Sequence, residues 1–158
     1  MTPPGLQMRA AGFTMVETLI VVAVVGLVMA MGYPRLQGAW GSANLRAARV
    51  QLSGSLAVAR AAAIRFGRPA EFKRNGNSIE VRADTAGTGV FLRLLAPVPL
   101  DSTFGVTLGA TVDSVVFGGR GLASNLGTAG AKFSLVHGSL RDSVCVTRLG
   151  QVPPLGCR

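Results

Sequence analysis

The feature that most constrains this chain is an apolar run near its N-terminus. Residues 13–34 read FTMVETLIVVAVVGLVMAMGYP, and Glu17 is the only charged side chain among them. As an α-helix these residues would extend about 33 Å, enough to cross the hydrocarbon core of a bilayer. A carboxylate inside such a helix costs about 2.5–3.5 kcal/mol on insertion scales, so its presence requires a reason. The run therefore predicts a membrane-spanning helix with a functional acid near its start.

Three interpretations of this run compete. A secretory signal peptide would end at a small-residue cleavage site, for which Ala30 and Gly32 would serve. A plain membrane anchor is the second interpretation. Both leave Glu17 unexplained, whereas the third interpretation gives it a role.

The third interpretation is a resemblance carried by residues 12–17, GFTMVE, directly before the apolar helix. This string resembles the processing site of type IV pilins and pseudopilins. The resemblance implies that a prepilin peptidase cuts between Gly12 and Phe13 and methylates the Phe13 amine, while the helix is retained. It also implies that Glu17 of one filament subunit faces the Phe13 amine of a neighbour and sets the register between them. Pro34, where pilins commonly loosen the helix, is the second expected assembly residue.

Beyond the apolar run, the periodicity predicts that the helix continues to about residue 66. One apolar stripe recurs at spacings of 3, 4 and 7: Trp40, Ala43, Ala47, Val50, Ala57 and Ile64. A second group broadens it: Leu45, Leu52, Leu56, Ala59, Ala63 and Phe66. Gly67 followed by Pro69 is a typical helix end.

After Pro69 the pattern changes to short strands separated by Gly, Asp, Ser, Asn and Pro. Asn75-Gly76 indicates a hairpin turn between the first two. The predicted strands cover residues 70–73, 78–83, 90–95, 106–108, 114–117, 132–136 and 143–147. The expected fold class is α+β, with one long helix packed on an antiparallel β-sheet, which is also the plan of the pilin fold.

Together with the resemblance to pilins, these elements predict that the chain has four segments. Residues 1–12 are a leader peptide that is cleaved, residues 13–34 the transmembrane half of the helix, and residues 35–67 its amphipathic half. Residues 68–158 form a β-rich domain. We expect a single-pass inner-membrane protein that contacts membrane lipid, with its C-terminal domain in the periplasm, and a periplasmic or extracellular filament after assembly.

A narrower resemblance lies in the second half of the chain. The strings VVF at 115–117, GRG at 119–121, FSL at 133–135 and VCVTRLG at 144–150 are similar to the GspH/FimT group. These proteins are minor pseudopilins of type II secretion systems and minor pilins of type IV pili. The resemblance implies a role in filament assembly, initiation and protein export, with the prepilin peptidase and other major and minor pilins or pseudopilins as partners.

Cys145 and Cys157 are the only cysteines. An even number in an exported domain suggests a disulfide, which would tie the C-terminus to the last strand as pilins often do. Two free thiols are the alternative. Redox chemistry is disfavoured because the chain has no Cys-x-x-Cys motif, and two cysteines with one distant histidine are a poor metal site.

The charge of the chain allows a second function. Lys and Arg number 16 against 7 acids, and removal of Arg9 with the leader leaves a net charge of +8. This balance favours anionic partners, so a minor pilin that binds extracellular DNA for uptake is the alternative function. Its candidate residues are Arg120, Arg141, Arg148 and Arg158. Some DNA-binding relatives carry a Gly-Arg-x-Arg loop, however, and the matching residues 150–153 here read GQVP.

Enzymatic activity is not predicted. His137 is the only histidine, and a triad with Ser139 and Asp142 lacks any sign of an activated nucleophile. We expect His137 to be a solvated loop residue. The remaining acids show no paired-carboxylate spacing, so no catalytic residue, metal or cofactor is expected.

Overall fold

The computed structural model describes residues 13–153 and 157. For residues 34–37 it describes the helical backbone but not the side chains. The chain divides into two compact units, one ending at Ala39 and the other beginning at Trp40. A single helix, α1 (Met15–Phe66), contributes to both units. The predicted helix and its end before Gly67 are confirmed. The predicted loosening at Pro34 falls among the residues whose side chains are not described and stays a prediction.

The first unit contains the apolar part of α1. The segment Met15–Tyr33 is long and apolar enough to cross a membrane, and none of it is buried within the protein. Its valine, leucine, isoleucine and methionine side chains therefore present apolar surface on all sides of the helix. Such a helix needs lipid or other helices around it.

The second unit adds seven strands and one short helix to α1. In chain order these are β1 (Ala70–Asn75), β2 (Ser78–Ala83), β3 (Leu92–Pro99), α2 (Leu100–Phe104), β4 (Thr107–Ala110), β5 (Ser114–Phe117), β6 (Ala131–His137) and β7 (Leu140–Val146). All seven predicted strands are present, with ends shifted by a few residues. The five-residue α2 was not predicted, because one turn of helix is too short to show a helical period.

The strands form two sheets rather than the single sheet expected. One has the order β3-β2-β1-β5 and the other β4-β6-β7, and every pairing is antiparallel. The consecutive strands β4 and β5 belong to different sheets. Hydrophobic periodicity indicates which side chains of a strand share a face, but not which distant strand pairs with it. The separation of the strands into two sheets could therefore not be predicted from the sequence.

The core lies where one face of α1 meets both sheets. Its helix residues follow one another at steps of three and four: Leu45, Ala48, Leu52, Leu56, Ala59 and Ala63. The two sheets meet at Phe72 of β1 and Phe133 of β6, whose rings pack edge to face with their centroids 5.3 Å apart. Both rings are fully buried, so this aromatic pair joins the sheets inside the core.

The other predicted stripe of α1 does not face the sheets. Trp40, Val50 and Ile64 are 62%, 70% and 52% exposed, and the alanines at 43, 47 and 57 are exposed with them. The two groups therefore do not form one broad stripe, as the sequence predicted, because only the second group is buried against the sheets. Helical spacing identifies an apolar face but cannot tell which of two such faces the sheets will cover. The second unit thus retains an uncovered apolar face along α1.

Replacing Phe133 by alanine should lower the free energy of unfolding by about 3–5 kcal/mol, because it leaves a cavity between the sheets. Phe133→Leu should cost less, since leucine refills much of the volume. Urea unfolding of the full chain in detergent micelles measures both. The control is Lys132→Ala, which truncates the exposed neighbouring side chain in β6. Equal effects of Phe133→Ala and Lys132→Ala would contradict the packing role.

Candidate functional site

The start of α1 is organised by a side-chain cap. Thr14 lies immediately before the helix, and its Oγ1 accepts a hydrogen bond from the backbone N–H of Glu17 at 3.3 Å. The backbone N–H of Thr18 donates to the Thr14 carbonyl at 3.2 Å. Thr-x-x-Glu is the capping-box pattern, and an acid in the first turn also interacts favourably with the helix dipole. The sequence interpretation missed this cap, although the Thr14–Glu17 spacing signals it.

The structure describes only one of the two predicted processing residues. Phe13 is 78% exposed and precedes the capping threonine, with Glu17 one helical turn further on. Gly12 lies outside the described residues. Phe13 and Glu17 are thus close in the chain at an accessible helix start, while cleavage and methylation stay predictions.

Cys145 and Cys157 form a disulfide, with their Cα atoms 5.2 Å apart. This separation is ordinary for a disulfide, so the paired alternative is confirmed over free thiols. Cys145 lies in β7, an edge strand of the three-stranded sheet. The bond ties Cys157 to this sheet, and closing a loop of this size contributes about 3 kcal/mol in the chain-entropy model.

The four arginines predicted to bind DNA do not form one patch. Arg120 and Arg148 are exposed in turns after β5 and β7, and the backbone N–H of Ala123 donates to the Arg148 carbonyl at 3.0 Å, which ties these turns together. Arg141 lies near the opposite end of β7, where it pairs with Val136. About 17 Å of strand separates it from the end of β7 next to Arg148. Arg158 lies outside the described residues.

Arg60 of α1 lies against these same turns, a contact that no local sequence pattern indicates. A Cβ placed on Gly121 or Gly150 would come within 3.1 or 3.3 Å of the Arg60 Nε. Both glycines have left-handed backbone angles, with φ of +74° and +70°. The glycines let the turns approach α1 closely, so that Arg60, Arg120 and Arg148 come to one end of the domain.

His137 is not the solvated loop residue that was expected. It ends β6 and is half-buried, with Nδ1 2.8 Å from the carbonyl oxygen of Gly105. A Cβ on Gly41 of α1 would lie 3.1 Å from its ring. His137 therefore packs where α1, α2 and β6 meet.

Among the described residues, no group of three His, Cys, Asp or Glu side chains is arranged to hold a metal ion.

Asp142 belongs to a structural ion pair. Its two carboxylate oxygens each lie 3.1 Å from the Arg49 NH1 atom, and both side chains are partly buried. The pair connects α1 to β7. Asp142 is therefore engaged with the helix, so its placement offers nothing to the catalytic triad that the sequence already disfavoured.

Asp84 organises the loop between β2 and β3. Its carboxylate accepts hydrogen bonds from the backbone N–H groups of Gly87, Thr88 and Gly89 at 2.6, 3.2 and 3.1 Å. Burial of the carboxyl raises the pKa of Asp84, but these bonds and the nearby Arg68 guanidinium outweigh it and leave the pKa below its ordinary value. The loop is thus wrapped around an ionised carboxylate.

Comparisons with known proteins agree with this geometry. Residues 7–33 match the family model described as the prokaryotic N-terminal methylation motif. The fold is similar to two crystal forms of the type IV minor pilin FimU of Pseudomonas aeruginosa, with TM-scores of 0.56 and 0.54 at 14% and 15% identity. Each match covers 72% of this chain, and 95% or 99% of the FimU chain. Comparison with curated proteins found no significant sequence match. The chain thus carries a prokaryotic N-terminal methylation motif, and its fold is like that of a type IV minor pilin.

Acidification should release the Asp84 loop. Because folding lowers the pKa of this carboxyl, its contribution is fully present above the ordinary value of 3.8 and is lost as the pH falls through the lower folded value. Amide hydrogen exchange at Gly87 and Gly89 should be slower in the native chain than in Asp84→Asn at about pH 6, and this difference should shrink as the pH falls below the ordinary pKa of the carboxyl. The exposed Asp101→Asn is the control. Equal exchange in native chain and Asp84→Asn at the higher pH would contradict this account.

Proposed function

We propose that this chain is a minor pilin that is processed at its N-terminus and assembles with other pilins into a filament. The observation that carries the proposal is the conjunction of residues 12–17 with an exposed apolar helix. A signal peptide or a plain anchor requires the helix but not the matched methylation motif. Cleavage between Gly12 and Phe13 would leave the helix attached to the folded domain, with its new amine four residues before Glu17.

In this proposal the transmembrane half, residues 13–34, anchors the subunit in the inner membrane before assembly. Residues 35–67 carry the helix into the β-rich domain, 68–158, on the periplasmic side. After cleavage the Phe13 amine is a cation, and the Glu17 carboxylate of a neighbouring subunit is its partner. Pairing the two charges offsets the cost of holding each in an apolar environment. A misplaced subunit leaves both unpaired, so the pair selects the register.

The uncovered face of α1 supports assembly as well. Trp40, Val50 and Ile64 expose apolar surface on the folded domain's part of the same helix. Contiguous apolar surface of this kind is typical of protein–protein contacts. A filament that packs helices side by side would cover this face together with the membrane segment.

Within this class, the likeness to a type IV minor pilin supports a pilus, and the GspH/FimT-like strings support either a pilus or a type II secretion filament. We assign the chain to filament assembly or initiation in one of these machines, with the prepilin peptidase and other pilins as partners. No enzymatic role is proposed.

DNA capture is the second candidate function. The grouping of Arg120 and Arg148 at one end of the domain favours it, since phosphate contacts come from clustered basic side chains. Arg141 lies apart from this group, and Gln151 and Pro153 stand where the arginines of the Gly-Arg-x-Arg loop would be. Assembly therefore remains the primary proposal.

Glu17→Gln tests the proposed role of the carboxylate. Glutamine keeps the capping-box geometry but removes the charge, so the chain should still be cleaved and inserted but should enter filaments at least about tenfold less often. The measurement is the amount of the chain in sheared filaments relative to membranes. Thr14→Ala is the matched control, because it removes the cap and keeps the carboxylate. Native incorporation of Glu17→Gln, or an equal loss in Thr14→Ala, would contradict the register role.

A further inference from the structure

A shallow groove of about 350 Å³ runs between α1 and the C-terminal turn of the folded domain. Ala57, Ala61 and Ile64 of α1 line one side, and Gly150 and Val152 line the other. The helix side is part of the uncovered apolar face. Small side chains at 57 and 61 leave the depression that Ile64 and Val152 border.

One cation lies in this groove, whose lining is apolar apart from that cation and Ser53. Arg60 also lines it, and the Arg60 Nε is buried without a hydrogen-bond partner among the described residues. No carboxylate is among the residues that line the groove. A buried donor without an acceptor is unfavourable, and a carboxylate that binds the Arg60 guanidinium would offset part of this cost.

The acidic side chains of the described residues do not supply that anion, since none of them lines the groove. Five of the six acids in the second unit are hydrogen-bonded or ion-paired elsewhere: Glu80, Asp84, Asp101, Asp113 and Asp142. The turns that border Arg60 contribute two further exposed cations, Arg120 and Arg148. A second copy of this chain, with a net charge of +8 after processing, would bring like charges together here.

We propose that this groove docks an acidic segment of a different filament subunit, one that places an apolar side chain on Ala57 and Ala61 and a carboxylate on Arg60. The proposal rests on the proposed assembly function and names the chemistry of one partner. Charge complementarity favours an acidic protein, and the apolar lining disfavours a nucleic-acid backbone, which presents phosphates and sugars.

Site-specific photocrosslinking in the native host tests this proposal. The photoreactive residue p-benzoylphenylalanine replaces the exposed Ala57 in the full chain, and mass spectrometry identifies the crosslinked peptide. We expect a peptide from another pilin-like subunit with Asp or Glu next to an apolar residue. Arg60→Glu should lower the yield at least about tenfold, and exchanging the captured acid for lysine should restore it. Arg46→Glu, the same charge change at an exposed site about 21 Å away along α1, should leave the yield unchanged.

Crosslinks to a second copy of this chain, to lipid or to nucleic acid would overturn the proposal, and so would a yield insensitive to Arg60→Glu. Formation of the Cys145–Cys157 disulfide in each variant, read from gel mobility without reductant, verifies folding. Filament incorporation is measured in the same cells. If the chain enters filaments but forms no crosslink, docking at the groove is refuted and the assembly function is not. If the chain crosslinks to an acidic peptide but does not enter filaments, only the assembly function is refuted.

Discussion

The carboxylate of Glu17 is the constraint on which the rest of the account depends. It lies in the first turn of a helix that is otherwise apolar for nineteen residues from Met15 to Tyr33. The Thr14 cap satisfies a backbone donor at this helix end, but it does not neutralise the charge of the side chain. An acid at this position is therefore tolerated where a cation meets it, and cleavage before Phe13 would create such a cation on every subunit. In a plain membrane anchor, an acid at this position would only weaken membrane insertion.

The folded domain follows from a second constraint, which is that α1 is apolar on two faces. Leu52 and Leu56 are buried against the sheets, whereas Val50 and Ile64 are exposed on the other face. In an isolated subunit the core of the domain is complete, but this second apolar face of α1 is exposed to water. The arrangement favours a subunit whose helix is shared between its own domain and its neighbours. Arg60 adds charge selectivity to this face.

Much of the fold could be predicted from local patterns. The helix and its end at Gly67, the Asn75-Gly76 hairpin and all seven strands depend on side-chain spacing and turn residues close in the chain. The two sheets could not be predicted, because the pairing of β1 with β5 and the contact of Phe72 with Phe133 join residues far apart in sequence. His137 was misjudged for the same reason, since Gly41 and Gly105, which surround it, lie far from it in the chain. The motif at 12–17 was visible because it is contiguous, whereas the grouping of Arg60 with Arg120 and Arg148 exists only after folding.

The intact mass of the chain, purified from membranes of a host that has the prepilin peptidase, tests the central claim most directly. The account predicts a protein that begins at Phe13, lacks residues 1–12 and carries one additional methyl group, and that remains unprocessed in a host without the peptidase. A mature chain that begins near Tyr33 in both hosts would show an ordinary signal peptide. That result would remove the membrane helix, the Phe13 amine and Glu17 from the mature protein, and would contradict the account.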